Sequence, residues 1–462
     1  MTRRMVIRAS ATVSAGVVLA AGAVLAALAP WPTIGQTGPG QATGTPGVDV
    51  TPIAAEAVLA CDGPLVALGR DASDAAGLSH VRDLDVNSRN GLQKDPASDQ
   101  ELELEGVGAS LSVSQLPVDG ESVPVAAAGS AIIDEPDLSG VVASACRPAI
   151  PETWIAGATV QTGVTDVLLI ANPSDVVATV SLSVYGIDGR QDPAGGEIAL
   201  SPKSQRAVPV ASIAGEEQSP VIRVTSRGAP VRATLQSSRV ETLDPAGLDL
   251  QSGTSPATES VVPGIHVTEA AAGDDDPTQV RLLGTSGRSG TVEVEVVDEE
   301  SGETAFSTTA DLTPEVPVTV GFEGLEAGTY AVRLSGDVPF VSAVRQASGG
   351  DYTWLAPEEP LTGTSLVALP ESPTGRFGLS FAAVGDEGAT VHVERLAGDN
   401  SWTLELEAGG SETIDVRDWR AYRVTVESGR VTGSAGVAED GAIAAFPLAP
   451  DAAEPDTITV AP

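Results

Sequence analysis

Aromatic residues make up only 3% of this 462-residue chain, which has just two cysteines and three histidines. Each scarcity excludes something. Two cysteines alone make no zinc site, because structural zinc takes four ligands. His80, His266 and His392 stand far apart, and there is neither an HExxH motif nor a Cys/His cluster, so no metal or catalytic histidine is expected. The Gly-x-Ser-x-Gly elbow, the Walker loop and the dinucleotide-type Gly-x-Gly-x-x-Gly are missing too, and no cofactor is expected. Basic residues are few: 25 against 63 acidic ones, a net charge of −38. Such a chain is repelled by phosphate backbones, which argues against a nucleic-acid partner.

Long apolar runs are equally rare, and the one present is informative. Arg3, Arg4 and Arg8 precede an uncharged stretch of 21 residues, Ala9 to Ala29. As a helix it spans roughly 30 Å, about one bilayer core. The positive flank stays in the cytoplasm, so the bulk of the chain is expected outside. Ala27-Leu28-Ala29 offers a cleavage site, but Pro30 follows it unfavourably. The reading is therefore a single-pass membrane anchor over residues 1–29, with secretion after cleavage as the alternative. Residues 30–51, rich in Gly, Pro and Thr, read as a flexible linker. In an oxidising exterior Cys61 and Cys146 are expected to be bridged. Closing that loop contributes about 4–5 kcal/mol on the chain-entropy model.

What the chain has in abundance is turns and alternating strands. Fifty glycines, 33 prolines and an Ala/Val-rich 42% of hydrophobic residues favour small β-domains. "TVSLSVYGIDGR" at Thr179 recurs as "TVEVEVVDEESGE" at Thr291 and "TVHVERLAGDNS" at Thr390. Each copy follows an apolar strand and a turn, and each leads to a second pair of alternating runs: "VIRVTSRGAPVRATLQ", "YAVRLSGDVPFVSAVRQ" and "YRVTVESGRVTGSAGV". Alternation predicts that Val180, Leu182 and Val184 face inward, as do Val292, Val294 and Val296, and Val391 with Val393. Ser181, Glu293, Glu295 and His392 are then expected to face water. The fold class expected is all-β: tandem immunoglobulin-like β-sandwiches after an N-terminal transmembrane helix. The expected domains are a divergent sandwich with the disulfide over 52–150, repeats over 151–262, 263–362 and 363–450, and a tail over 451–462.

Cys146 to Arg190, "CRPAIPETWIAGATVQTGVTDVLLIANPSDVVATVSLSVYGIDGR", resembles the actinobacterial domain-of-unknown-function family 5719. Trp154, Gly157, Asn172, Pro173 and Gly189 stand at that family's Trp-x-x-Gly, Asn-Pro and turn positions. The second repeat departs from the pattern, with "GTSGRSG" in place of Asn-Pro. The resemblance implies an exported envelope protein of unassigned role, without catalytic residues.

Two weak sites stand out. Asp83, Asp85 and Asn87 alternate as in a calcium loop, but Ser88 replaces the glycine and Lys94 the bidentate glutamate. A strand with Leu84 and Val86 inward is the competing reading, and "GDDDPT" at Gly273 reads as an acidic turn. Trp402, Trp419 and Tyr422 are a possible sugar-stacking platform, against core packing. Trp31 suits a membrane edge, and Trp154 and Trp354 are expected at domain junctions. Function reads as a non-enzymatic, membrane-anchored extracytoplasmic scaffold or interaction module, its partner an envelope protein or a cell-wall glycan. A glycan-binding module is the alternative, and a hydrolase using scattered carboxylates the third.

Overall fold

A computed structural model describes residues 48–50, 54–451 and 458–460, apart from residues 72, 75, 97, 270, 272–277 and 440. The expected anchor, most of the linker and the "DDDP" stretch lie outside the described residues, within which no helix is long and apolar enough to cross a membrane. The chain divides into two compact units. In one, Val48–Val50 pairs antiparallel with Ile458–Val460. The other, residues 53–455, holds everything below.

That unit is all-β; its one helical turn among the described residues is Val210–Ser212. The second lobe has nine strands; beside the short hairpin strand Gly189–Gln191, eight run in chain order Glu152–Ile155, Val164–Asn172, Ala178–Gly186, Glu197–Leu200, Ser204–Pro209, Val221–Arg227, Arg232–Glu241 and Asp244–Ser252. One sheet runs first-sixth-third-fourth and the other eighth-seventh-second-fifth. The fourth lobe repeats this order, from Thr364–Ala368 to Ala442–Pro447. So does the third, from Ala257–Val267 to Tyr352–Leu355, with its sixth and seventh strands fused into Gly328–Ala347. The two alternating runs expected there form one strand that changes partner: Gly336 still pairs with Val292, while Phe340 pairs with Gly284. The order also departs from the constant-type immunoglobulin sandwich, in which the first strand shares a sheet with the second; here it lies beside the sixth.

The third strands confirm the alternation. Val180, Leu182, Val184, Val292, Val294, Val296, Val391 and Val393 are all buried, while Ser181 and Glu293 are exposed and Glu295 and His392 half-buried. Each inward Val or Leu gains about 1.5–3 kcal/mol from burial, and an unpaired carboxylate in its place would lose more than that. Cys61 and Cys146 are bridged, their Cα atoms 4.1 Å apart.

The lobes do not hang as separate beads. Ala257–Val267 runs straight through the boundary expected at 262, because its residues pair with the third lobe's long strand. The first lobe, residues 54–150, joins the second in one seven-stranded sheet through a parallel pairing of Ser204 with Glu103 and Gln205 with Leu104. Asp62 adds a buried ion pair with Arg232 at 2.8 Å. Ala126, Ala128, Val141 and Ala143 of the first lobe enter the core of the fourth beside Phe446. Val261 and Ala331 of the third lobe pack on Ala382 and Val384 of the fourth.

The last strand of every lobe turns to a common centre: Leu138–Ala145, Asp244–Ser252, Tyr352–Leu355 and Ala442–Pro447 pack against one another. Asp351 occupies that centre. Its Oδ2 accepts the N–H of Val141 at 2.9 Å and of Ile443 at 3.2 Å. Its Oδ1 accepts those of Leu248 and Tyr352, each at 3.0 Å. One carboxylate thus takes one amide from each of the four lobes. The residue before each donor is Gly140, Gly247, Asp351 or Ala442. A Cβ on Gly140 would stand 2.7 Å from the Leu248 nitrogen, and one on Gly247 2.5 Å from the Tyr352 ring. Small residues at the other positions leave the room that the single aspartate fills.

Candidate functional site

Where the second lobe meets the third, the walls part around a polar cleft of about 1050 Å³. Its floor comes from strands of both lobes. In the second lobe, Ser237 on the seventh strand lines it, and Asp166 lies behind Ser237 on the paired second strand. In the third, Arg281 stands opposite Thr319, and Arg345, Tyr352 and Trp354 lie on the closing strands. Below the floor an apolar seam of Trp154, Tyr185, Leu283, Val341, Tyr352 and Trp354 joins the lobes. Both tryptophans expected at junctions therefore meet at the same one.

Gly157 explains one of the motif positions. A Cβ there would fall 2.6 Å from the Trp354 indole, and its N–H donates to Gln251 Oε1 at 3.1 Å. The bare backbone lies against the indole and brings the carbonyls of Ala156 and Ala158 to Arg281 Nη1. Asn172 explains another: fully buried, it donates to the carbonyls of Val176, Leu200 and Ser201 and accepts from Ser174, which locks the Asn-Pro turn.

Two guanidiniums lie flat on aromatic rings. Arg281 sits 5.0 Å from the Trp354 ring centre, and Arg345 5.0 Å from that of Tyr352. Both are at least nine-tenths buried. Arg281 is drawn down to about 10, chiefly by burial, with Asp166 opposing the shift and Arg345 adding to it. Asp166 itself is pushed up to about 7 by burial, against its bonds from the Ser237 hydroxyl at 2.5 Å and the Thr159 N–H at 2.6 Å. The Ser237 hydroxyl is also 2.6 Å from the Tyr352 hydroxyl. Behind the floor, burial pushes Asp249 to about 7 as well; it accepts from the Thr353 hydroxyl at 2.7 Å and the Trp354 N–H at 2.8 Å. At the mouth Arg239 pairs with Glu241 at 2.8 Å. The lining adds hydroxyls and amides from Thr159, Gln161, Thr162, Ser219, Gln279 and Thr319.

The residues singled out from the sequence lie elsewhere. Tyr422 is 1% exposed in the fourth lobe's core, with half-buried Trp402 packed 6.2 Å from it, ring centre to ring centre. Trp419 is 39% exposed, on a turn at φ 49°. The three do not present one open face, since a buried phenol offers none. Asp85–Asn90 is a strand, and Asn87 points away from its own core, buried against the fourth lobe, where it donates to the carbonyls of Leu369 and Arg420. Asp83 pairs with His80 at 2.9 Å. Among the described residues no group of three or more His, Cys, Asp or Glu is placed to hold a metal.

Sequence reasoning missed Arg281, Arg345, Asp166, Asp249 and Asp351. Alternation does mark Arg281 as facing away from its own core, since Val280 and Leu282 are fully buried. It does not say that a second lobe covers that outer face. No curated protein matches the chain. Its residues 104–427, which take in the second and third lobes and the cleft between them, match the model of a family of unknown function (DUF5719), and the chain belongs to that family.

Proposed function

We propose that the chain is a non-enzymatic, membrane-anchored extracytoplasmic protein, a cell-envelope scaffold or interaction module that presents its lobes as one compact body. The observation that carries this reading is the joining of four lobes on Asp351. Independent sandwiches on linkers would reorient freely. Lobes that share a carboxylate, a sheet and a core hold the walls of a cleft at fixed spacing, which is what binding requires. The groups in the cleft suit binding better than bond cleavage. Ser237 is tied between Asp166 and Tyr352, and no histidine is among the lining residues. Attachment and topology rest on Arg3, Arg4 and Arg8 before the apolar stretch Ala9–Ala29.

Protease added to intact spheroplasts tests the topology. The expected outcome is cleavage within residues 30–51 and release of a disulfide-containing body. Protection until the cells are lysed would overturn the reading.

A further inference from the structure

We propose that the cleft between the second and third lobes binds a carboxylate-bearing oligosaccharide, with Arg281, Arg345 and Arg239 facing its acid groups. The inference rests on the interaction-module reading and names its ligand class.

The argument starts from the charges. Arg281 is held by neutral partners: Nη1 by the carbonyls of Ala156 and Ala158, Nε by the Thr319 hydroxyl at 3.4 Å, and its face by Trp354. Those contacts set the orientation of the guanidinium, and Arg281 lines the cleft. Asp166 is near enough to act through space, but its two oxygens take the Thr159 amide and the Ser237 hydroxyl. Of the other acids lining the cleft, Glu241 is paired with Arg239, and Asp351 turns both oxygens to the four amides at the meeting point of the lobes. A second guanidinium, Arg345, lies close enough to Arg281 to disfavour its charge. Like charges brought together in a buried wall are unfavourable alone and favourable around an anion. A planar guanidinium fork matches a carboxylate.

The remaining lining selects within the anions. Hydroxyls and amides of Thr159, Gln161, Thr162, Ser219 and Gln279 pair with sugar hydroxyls and offer little to an apolar side chain. The cleft slightly exceeds the range of roughly 300–1,000 Å³ typical of small-molecule pockets, which suits several linked rings. A net charge of −38 opposes densely charged polyanions, whereas a glycan with one carboxylate per ring carries its charge sparsely.

Calorimetric titration of the full-length chain tests this, with trigalacturonate as probe and cellotriose and pentaglutamate as comparators. Trigalacturonate is expected to bind at least about tenfold more tightly than either comparator. Its affinity should fall as salt rises from about 50 to about 500 mM. Arg281→Lys keeps the charge and loses the fork, and should weaken binding about tenfold or more. Arg239→Gln, at the half-exposed mouth, should weaken it several-fold and provides the test if the buried variant does not fold. Absence of trigalacturonate binding, equal binding of cellotriose or pentaglutamate, or affinity unchanged in a folded variant would each overturn the proposal. The spheroplast assay is independent of these titrations, so loss of the ligand and loss of the topology are told apart.

Discussion

Asp351 and Asp166 are both buried carboxylates near a junction of lobes, yet their surroundings differ in one decisive respect. Every partner of Asp351 is a backbone N–H, and a backbone amide can only donate. Asp166 has one such amide, from Thr159, and one hydroxyl, from Ser237, which in turn meets the Tyr352 hydroxyl. Hydroxyls donate or accept by rotating. If Asp166 takes a proton, Ser237 can accept from it and donate onward to Tyr352. If Asp351 takes a proton, an O–H faces an N–H and one lobe loses its bond. Burial pushes both carboxyls upward, but only the ionised form matches four donors at the centre. Asp351 is held by donors that cannot reverse, whereas the hydroxyls of Ser237 and Tyr352 beside Asp166 can rotate.

The largest effect should come from breaking the centre. Asp351→Asn keeps the size of the side chain but turns an NH₂ group toward two of the four amides. Losing two buried bonds and leaving their donors unpaired costs about 3–5 kcal/mol. Thermal unfolding of the variant should start well below that of the parent, with the lobes separating first in limited proteolysis. A midpoint within about 2 °C of the parent would show that the lobes are held by their apolar seams alone.

Next come the glycines that make room for Asp351. Gly247 has φ +122°, and an added Cβ would meet the Tyr352 ring at 2.5 Å. Gly247→Ala should cost about 2–4 kcal/mol from strain and displacement of the ring. Gly195 has φ +80° with nothing within 4 Å, so Gly195→Ala should cost only about 1 kcal/mol, the backbone penalty alone. Equal losses in a denaturant titration would mean that the space around the carboxylate is not what Gly247 provides.

A smaller effect is expected from pH. For Asp166 the folded value lies near 7 against an ordinary 3.8, and the same holds for Asp249 and Asp351, all three through burial. Between those values the folded state holds a proton that the unfolded chain has released, so stability rises as pH falls from 8 toward 5. Each group contributes on the order of 2–3 kcal/mol over that window. Acids with lowered values, such as Asp137 beside Arg70, act in the opposite sense at lower pH. Denaturant midpoints that fall between pH 8 and pH 5 would contradict the assignment.

Much of this molecule was legible in the sequence wherever one strand face meets one core. Val292 to Val296 alternate with Glu293 and Glu295, and a carboxylate is costly enough to bury that the register admits one solution. The disulfide was legible because two cysteines on strand ends have one possible partner each. The assembly of the lobes was not. Arg281, Gln236 and Asn87 all point away from their own cores, where alternation assigns them to water; a neighbouring lobe takes each one instead. Contacts between lobes depend on which outer faces meet, and no local period encodes that. Asp351 was the hardest to foresee, since its neighbours are "GGDYTW", an ordinary turn and strand, and its four donors come from residues as far apart as Val141 and Ile443.

The smallest effect expected is also the sharpest test of the difference between the two aspartates. Asp166→Asn places an amide where the carboxylate was: its oxygen accepts from Thr159, and its NH₂ donates to Ser237, whose hydroxyl turns to Tyr352. One amide hydrogen and one hydroxyl hydrogen of the Ser237–Tyr352 pair lose a protein acceptor, but Ser237 and Tyr352 line the open cleft, so near pH 7 the loss should be about 1–2 kcal/mol, below that of Asp351→Asn. Two consequences separate this from a merely tolerant site. The variant can no longer take up the proton, so it should gain less stability than the parent on going from pH 8 to pH 5, by the share assigned to Asp166. Relief of the general acidic repulsion on titrating the surface is common to both proteins and cancels in the comparison. If Asp166→Asn instead loses as much stability near pH 7 as Asp351→Asn, the hydroxyl chain does not reverse. Asp166 is then held as rigidly as Asp351.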